Sequence, residues 1–337
     1  MNEFSDNRYR NFFVGCILIA TFLPALLSVV NFDITDTKIK ALGGLFAILL
    51  LLNGAHVWMT IAYYFDKNWL KFFNTRKLVF FGGPGLIFLI SLIVITQSPK
   101  IWALAFFYTA SFINLWHHAK QNWGILSILS NIFGDNVQGF RPLIIHSWIF
   151  FLIPLSYYIV SSFGLLALHP QILAASYVLV TLYLLWCLKE LYFNLFSIKH
   201  PVVLIQLLAS LLYFLPLIFL RDKYYVLVIW AGAHALQYYF MVFASLSLRS
   251  RKSRSTLTLA ASMSIVISVL IALTLLSTLF TKPMTAIDYW DLKNLRYFAA
   301  ILIAVNLSHF WIDAFIWRFS NSKIRNIHGD AFVFSHD

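Results

Sequence analysis

LVFFGGPGLIFLISLIVIT, residues 78–96, decides the fold. The stretch holds no Asp, Glu, Lys or Arg, and its length is close to the ~20 residues that an α-helix needs to cross the hydrocarbon core of a bilayer. The same criterion applied along the chain predicts ten spans, at about 12–31, 41–65, 78–96, 101–129, 143–165, 171–198, 201–220, 224–248, 258–280 and 296–318. The expected class is an all-α integral membrane protein of about ten transmembrane helices. Composition agrees, because 61% of the residues are hydrophobic and 11% are charged, against roughly half and a quarter in a soluble domain.

The connections are short and several are marked by Pro or Gly, as at Gly134, Pro142, Pro170 and Pro201. The sequence therefore reads as a single polytopic domain over 1–337 with short tails at about 1–11 and 319–337. Arg8 and Arg10 ahead of the first apolar stretch resemble the start of a signal sequence, but that stretch is too long for one and no small-residue cleavage site precedes Asp33. It is expected to stay as the first span. Cys16 and Cys187 both fall within predicted spans, which leaves no disulfide framework.

The net charge of +12 invites a nucleic-acid reading, yet the basic residues are dispersed between spans. Topology explains them better, since Lys and Arg accumulate on the cytoplasmic side. With the N-terminus inside, the inner segments hold Lys67, Lys71, Arg76 and Lys77, the cluster Arg249, Arg251, Lys252 and Arg254, and the tail residues Arg318, Lys323 and Arg325. The outer segments hold fewer. Both termini are expected to be cytoplasmic, and no nucleic-acid partner is expected.

An unsatisfied polar group in hydrocarbon costs several kcal/mol, which makes intramembrane ionisable residues functional candidates. Most of those here are histidines: His56, His117, His118, His146, His234 and His309. Their surroundings repeat. Asn53-Gly54-Ala55-His56-Val57-Trp58 matches Asn306-Leu307-Ser308-His309-Phe310-Trp311, and Asn114 precedes His117 by the same three positions. A second pattern joins His118-Ala119-Lys120-Gln121 to His234-Ala235-Leu236-Gln237.

Residues three or four apart share a helix face. Asn53, Asn114, Gln121, Gln237 and Asn306 are therefore placed to orient the histidine rings through the nitrogen that a metal leaves available. Asp313, one turn after His309, is a further acceptor. Counted at ~1.5 Å per residue, His56, His118, His234 and His309 lie roughly 13–23 Å from the cytoplasmic ends of their spans, and His146 only about 6 Å in. A common layer points to one shared site, with His117 or His146 completing it. Glu190, beside Lys189 in the 171–198 span, is a candidate ligand or proton carrier, and Asp313 joins it as a candidate catalytic acid.

Imidazole suits iron, copper and zinc, and a pair of histidines can also hold heme. More histidines share the layer than one heme needs, so non-heme iron, one or two ions, is the expected cofactor, with heme, copper and zinc as alternatives. Single histidines on separate helices at one depth resemble the Brp/Blh-type membrane carotenoid oxygenases. That resemblance implies an iron held by His56, His118, His234 and His309 that acts with dioxygen on a lipid-soluble substrate drawn from the bilayer. The chain lacks the HxxxH and HxxHH patterns of fatty acid desaturases and hydroxylases. The ending His309-x-x-x-Asp313-x-x-Ile316-Trp317-Arg318 is similar to that of a group of bacterial histidine-rich membrane proteins, which places the chain in a bacterial inner membrane and implies no activity.

The leading expectation is thus a membrane oxidoreductase. A proton-coupled transporter relaying protons through the histidines, Glu190 and Asp313, and a heme-bearing electron-transfer protein, are the alternatives. No ferredoxin-like cysteine motif, flavin fingerprint or nucleotide loop is present. An external electron donor is therefore expected.

Overall fold

The computed structural model describes residues 7–30, 56–57, 59–60, 62–153, 170–215, 230, 232–242, 293–318 and 321–324. Among them the chain is all-helical, with no strand. The 258–280 span, residue Asn53 and the 249–254 and 281–292 segments lie outside the described residues. Three helices are long and apolar enough to cross a membrane, Leu78–Gln97, Ala174–Ser197 and Ala299–Ile316, and shorter apolar helices cover Asn11–Leu23 and Pro201–Leu212. These coincide with five of the predicted spans.

The chain divides into two compact units. The first comprises Met1–Leu50, Leu115–Met241 and Phe334–Asp337, and the second Leu51–Asn114 and Val242–Val333. Each unit draws on separate stretches of sequence. For that reason no Pro- or Gly-rich linker marks the division, and the sequence reads as one domain.

The first unit contains α1 (Asn7–Val30), the second half of α4 (Lys100–Phe133) from Leu115 on, α5 (Arg141–His146), α6 (Pro170–Asn194), α7 (Pro201–Leu212) and nearly all of α8 (232–242). α4 ends at Gly134, whose φ of 73° is the left-handed conformation that glycine adopts without steric cost. The next residue, Asp135, closes the turn against the α6–α7 connection, its carboxylate accepting the N–H groups of Lys199 at 2.9 Å and His200 at 3.0 Å.

The 143–165 span does not begin as one regular α-helix. α5 gives way after His146 to a tighter 3-10 turn at Ser147–Phe151. Ser147 Oγ donates back to the carbonyl of Ile144 at 2.8 Å, a local bond that competes with the helical ladder. Pro154 follows in the sequence and has no N–H for the carbonyl four residues back.

The second unit contains α2 (Lys67–Asn74), α3 (Gly83–Gln97) with a π-turn at Leu78–Gly82 before it, the first part of α4, and α9 (Lys293–Ile316). α3 packs along α9. Ile95, Ala103 and Ala300 form a buried core flanked by Leu92, Phe106, Ala299 and Ile303, and the three alanines let backbones approach closely, which is how helices associate without a hydrophobic drive between them.

The GGPG break at residues 82–85 is stitched by side chains. Gly83 N–H bonds the carbonyl of Leu78 rather than that of Val79, and Trp311 Nε1 donates to the released Val79 carbonyl at 2.8 Å. Pro84 has no N–H for the carbonyl of Phe80. Tyr64 OH donates to that carbonyl at 2.5 Å. Every carbonyl freed by the irregularity is thereby paired, as an apolar surrounding requires. A Cβ at Gly83 would lie 2.5 Å from Trp311 Nε1, so any larger residue there must displace the indole.

Candidate metal centre

The second unit brings together one pair of motif histidines. His56 lies at 1% exposure and His309 at 1%, with ring centroids 4.9 Å apart and planes at 86°. Thr60, one turn after His56, places its Oγ1 2.5 Å from His309 Nδ1. The other nitrogen, Nε2, faces Asp313 Oδ2 at 3.5 Å. Asp313 is itself buried, and its i,i+4 position on α9 sets that approach. In the tautomer with the proton on Nδ1, that N–H donates to Thr60 and Nε2 presents its lone pair beside the carboxylate. Two donors each about 2.1 Å from one ion at a near-tetrahedral angle are separated by about 3.4 Å. The observed separation of Nε2 and Oδ2 meets that requirement.

The first unit brings together the other repeated pattern. His118 and His234 are stacked, with centroids 4.1 Å apart and planes 18° from parallel, and His117 meets His234 edge-on at 5.0 Å and 80°. The glutamines of the two H-A-x-Q copies pair as well. Gln121 Nε2 donates to Gln237 Oε1 at 3.0 Å and to the carbonyl of His234 at 3.2 Å. Gln237 Nε2 donates onward to Asn122 Oδ1 at 3.0 Å and to Thr21 Oγ1 at 2.8 Å. Gln206 Nε2 donates to Thr21 Oγ1 at 3.2 Å. The amide clamp thus runs from α4 through α8 to α1 and α7.

Aromatic side chains wall the stacked rings. Trp230 and Tyr213 lie 5.6 and 6.1 Å from His118, and Trp230 Nε1 donates to the carbonyl of Tyr213 at 3.0 Å. Imidazole ligates through a lone pair in the ring plane. Edge-on pairs such as His56 with His309 and His117 with His234 can converge on one point, whereas near-parallel stacked rings aim their lone pairs alongside one another.

The remaining candidates are placed differently. His146 is exposed at the end of α5. Glu190 is held on its own helix, its Oε1 accepting from Trp186 Nε1 at 3.1 Å and its Oε2 from Asn194 Nδ2 at 2.9 Å. Those bonds give it a helix-bracing role. Asn114 and Asn306 are half-buried. Lys120 is exposed with its ammonium 4.4 Å from the ring of Trp116, one turn back along α4. Thr60, Thr21, Asn122 and Gln206 escaped sequence reasoning, because hydroxyls and amides in a helix carry no spacing signal unless their partner is known.

Buried His and Asp groupings that could hold a metal ion are therefore present. No protein-family model matches the chain, and no curated protein or solved structure matches it either. The class that fold and site define is an all-helical protein with membrane-length apolar helices and buried histidine clusters.

Proposed function

We propose that the chain is a multi-pass membrane metalloprotein of about ten spans, with both termini cytoplasmic, that acts as an oxidoreductase on a lipid-soluble or amphipathic substrate in the bacterial inner membrane. One observation carries the reading: His309 and Asp313 form a buried donor pair whose Nε2–Oδ2 spacing of 3.5 Å suits ligation of one ion, and buried His56 stands edge-on to His309 at 4.9 Å. His117 with His234 is a second edge-on pair of donors in the first unit. Non-heme iron, one or two ions, is the metal we assign, and when bound it would supply the redox chemistry with dioxygen.

The chain's own residues do the remaining work. Thr60 holds the ring plane of His309 through Nδ1, and Asp313 supplies the negative charge that a cation needs in an apolar surrounding. The Gln121–Gln237 clamp holds the helices that carry His117, His118 and His234. A heme between two imidazoles requires ring centroids roughly 6 Å apart, twice a metal–nitrogen bond of about 2.0 Å plus the ring radii. The pairs formed across helices lie closer than that, at 4.1, 4.9 and 5.0 Å, which supports a non-heme ion.

A second reading, proton-coupled transport, draws on the same buried His309–Asp313 pair as a proton-carrying site. Metal analysis and an absorption spectrum of the purified full chain separate the two. Iron near stoichiometric with no Soret band supports the oxidoreductase; absence of bound metal after expression in iron-replete medium overturns it in favour of transport.

A further inference from the structure

A second surface of the molecule has a chemistry of its own. Asp66 starts α2 by accepting the N–H groups of Asn68 and Trp69, both at 3.0 Å. Over the next two turns, Trp69, Phe72 and Phe73 are buried. They sit in an aromatic cluster: Trp69 lies 5.2 Å from Tyr63 and Phe73 stacks on Phe80 at 4.2 Å. Lys67 and Lys71, one turn apart, take the opposite face and are exposed, and the turn that follows adds exposed Arg76 and Lys77. Arg76 lies over the Phe72 ring, 5.4 Å from its centroid. Among the described residues no carboxylate comes within ion-pair reach of any of the four cations. The four cations thus share one short segment whose backbone is anchored by the aromatic cluster, a platform on which Arg76 rests directly.

We infer that this platform is a docking surface for anionic phospholipid headgroups. Position and neighbours both bear on the occupant. Lys77 is followed at once by the candidate membrane helix Leu78–Gln97, which sets the cations where hydrocarbon gives way to headgroups. Phe65 is 61% exposed and Leu78 is 87% exposed on the same segment. A lipid presents a phosphate to the cations and acyl chain to Phe65 and Leu78. A soluble anion would leave both apolar side chains in water. Basic residues beside a membrane helix are attracted to an anionic surface, and the attraction falls off within a Debye length.

The test uses the full chain reconstituted in nanodiscs, with spin-labelled phosphatidylglycerol and spin-labelled phosphatidylcholine compared by electron paramagnetic resonance. The expected result is a preference for phosphatidylglycerol on the order of tenfold at low salt, shrinking severalfold in about 1 M NaCl, where the Debye length is ~3 Å. The variant K67Q/K71Q/R76Q/K77Q should lose the preference, and the charge-keeping variant K67R/K71R/R76K/K77R should retain it. No preference in the wild-type protein, insensitivity to salt, or an undiminished preference in the neutralised variant overturns the proposal. Displacement of the lipid by inorganic phosphate at equal concentration would also overturn it, since the surface would then be a site for soluble anions. The paired variants K67Q/K71Q and R76Q/K77Q perturb the fold less than the quadruple variant; each should lose part of the preference, and an undiminished preference in both overturns the proposal.

Discussion

The two units solve the problem of burying histidines in opposite ways. In the second unit His56 and His309 meet edge-on at 4.9 Å, and His309 is engaged at both ring nitrogens, by Thr60 on one side and Asp313 on the other. In the first unit His118 and His234 lie face to face at 4.1 Å, and the amides of Gln121 and Gln237 tie together the helices that carry them. Near-parallel rings aim their in-plane lone pairs alongside one another, so the stacked pair is not arranged to share one ion. The edge-on pair with its aspartate suits a cation. Within each unit the two copies of one repeated motif meet, and the ring geometry distinguishes what each contact can hold.

The largest expected effect tests the edge-on site. His309→Ala should remove the metal bound through that donor set, read as loss of stoichiometric metal in the purified protein, with His56→Ala close behind; full retention in both variants would end the assignment of that site. Thr60→Val keeps the shape but removes the hydroxyl at Nδ1. Its expected cost is roughly 10–100-fold in metal affinity, the usual effect of losing a partner that orients a ligand, measured by competition with a chelator.

In the stacked site the comparison predicts stability loss instead. Gln237→Leu takes one partner from each of Gln121, Asn122 and Thr21; Gln121 keeps the His234 carbonyl and Thr21 keeps Gln206, so the main cost is the donor lost at buried Asn122 Oδ1, about 1–3 kcal/mol. Thermal unfolding in detergent should show a clear drop while metal at the edge-on site is kept. If Gln237→Leu costs metal and no stability, the division of roles between the units is wrong.

Gly83→Ala drives a methyl group against Trp311, with an expected destabilisation of about 1–3 kcal/mol for overpacking. Gly83→Ala in a Trp311→Ala background should cost less than it does alone, and equal costs would show that the close approach is not what requires glycine. The smallest effect is expected at Glu190. Glu190→Gln should leave metal content unchanged, because the bonds of its carboxylate run to Trp186 and Asn194 on its own helix.

Much of the helical layout was legible because it rests on composition. A charge-free run such as 78–96 has one stable form in a bilayer, and the structure places helix Leu78–Gln97 there. Helix ends at Gly134 and Pro201 were legible for the same reason, since those residues act through their own backbone. The break after His146 was not. The back-bonding of Ser147 is one of several options open to that side chain, and sequence does not rank them.

The sequence by itself determined that this chain is helical and apolar, that its buried ionisable groups are mainly histidines, and that these come in two repeated patterns. Helical periodicity of 3.6 is a local property, so it also placed His309 and Asp313 on one face. Tertiary structure decided which copies meet, that Gln121 bonds Gln237, that Thr60 rather than an asparagine faces His309 Nδ1, and that Glu190 turns to Trp186 and Asn194. It also decided that one histidine pair stacks and the other meets edge-on. Those outcomes depend on the rotation of one helix about its axis relative to another. In an apolar medium that rotation is set by side-chain packing and by hydrogen bonds between residues far apart in sequence, and no local pattern encodes it.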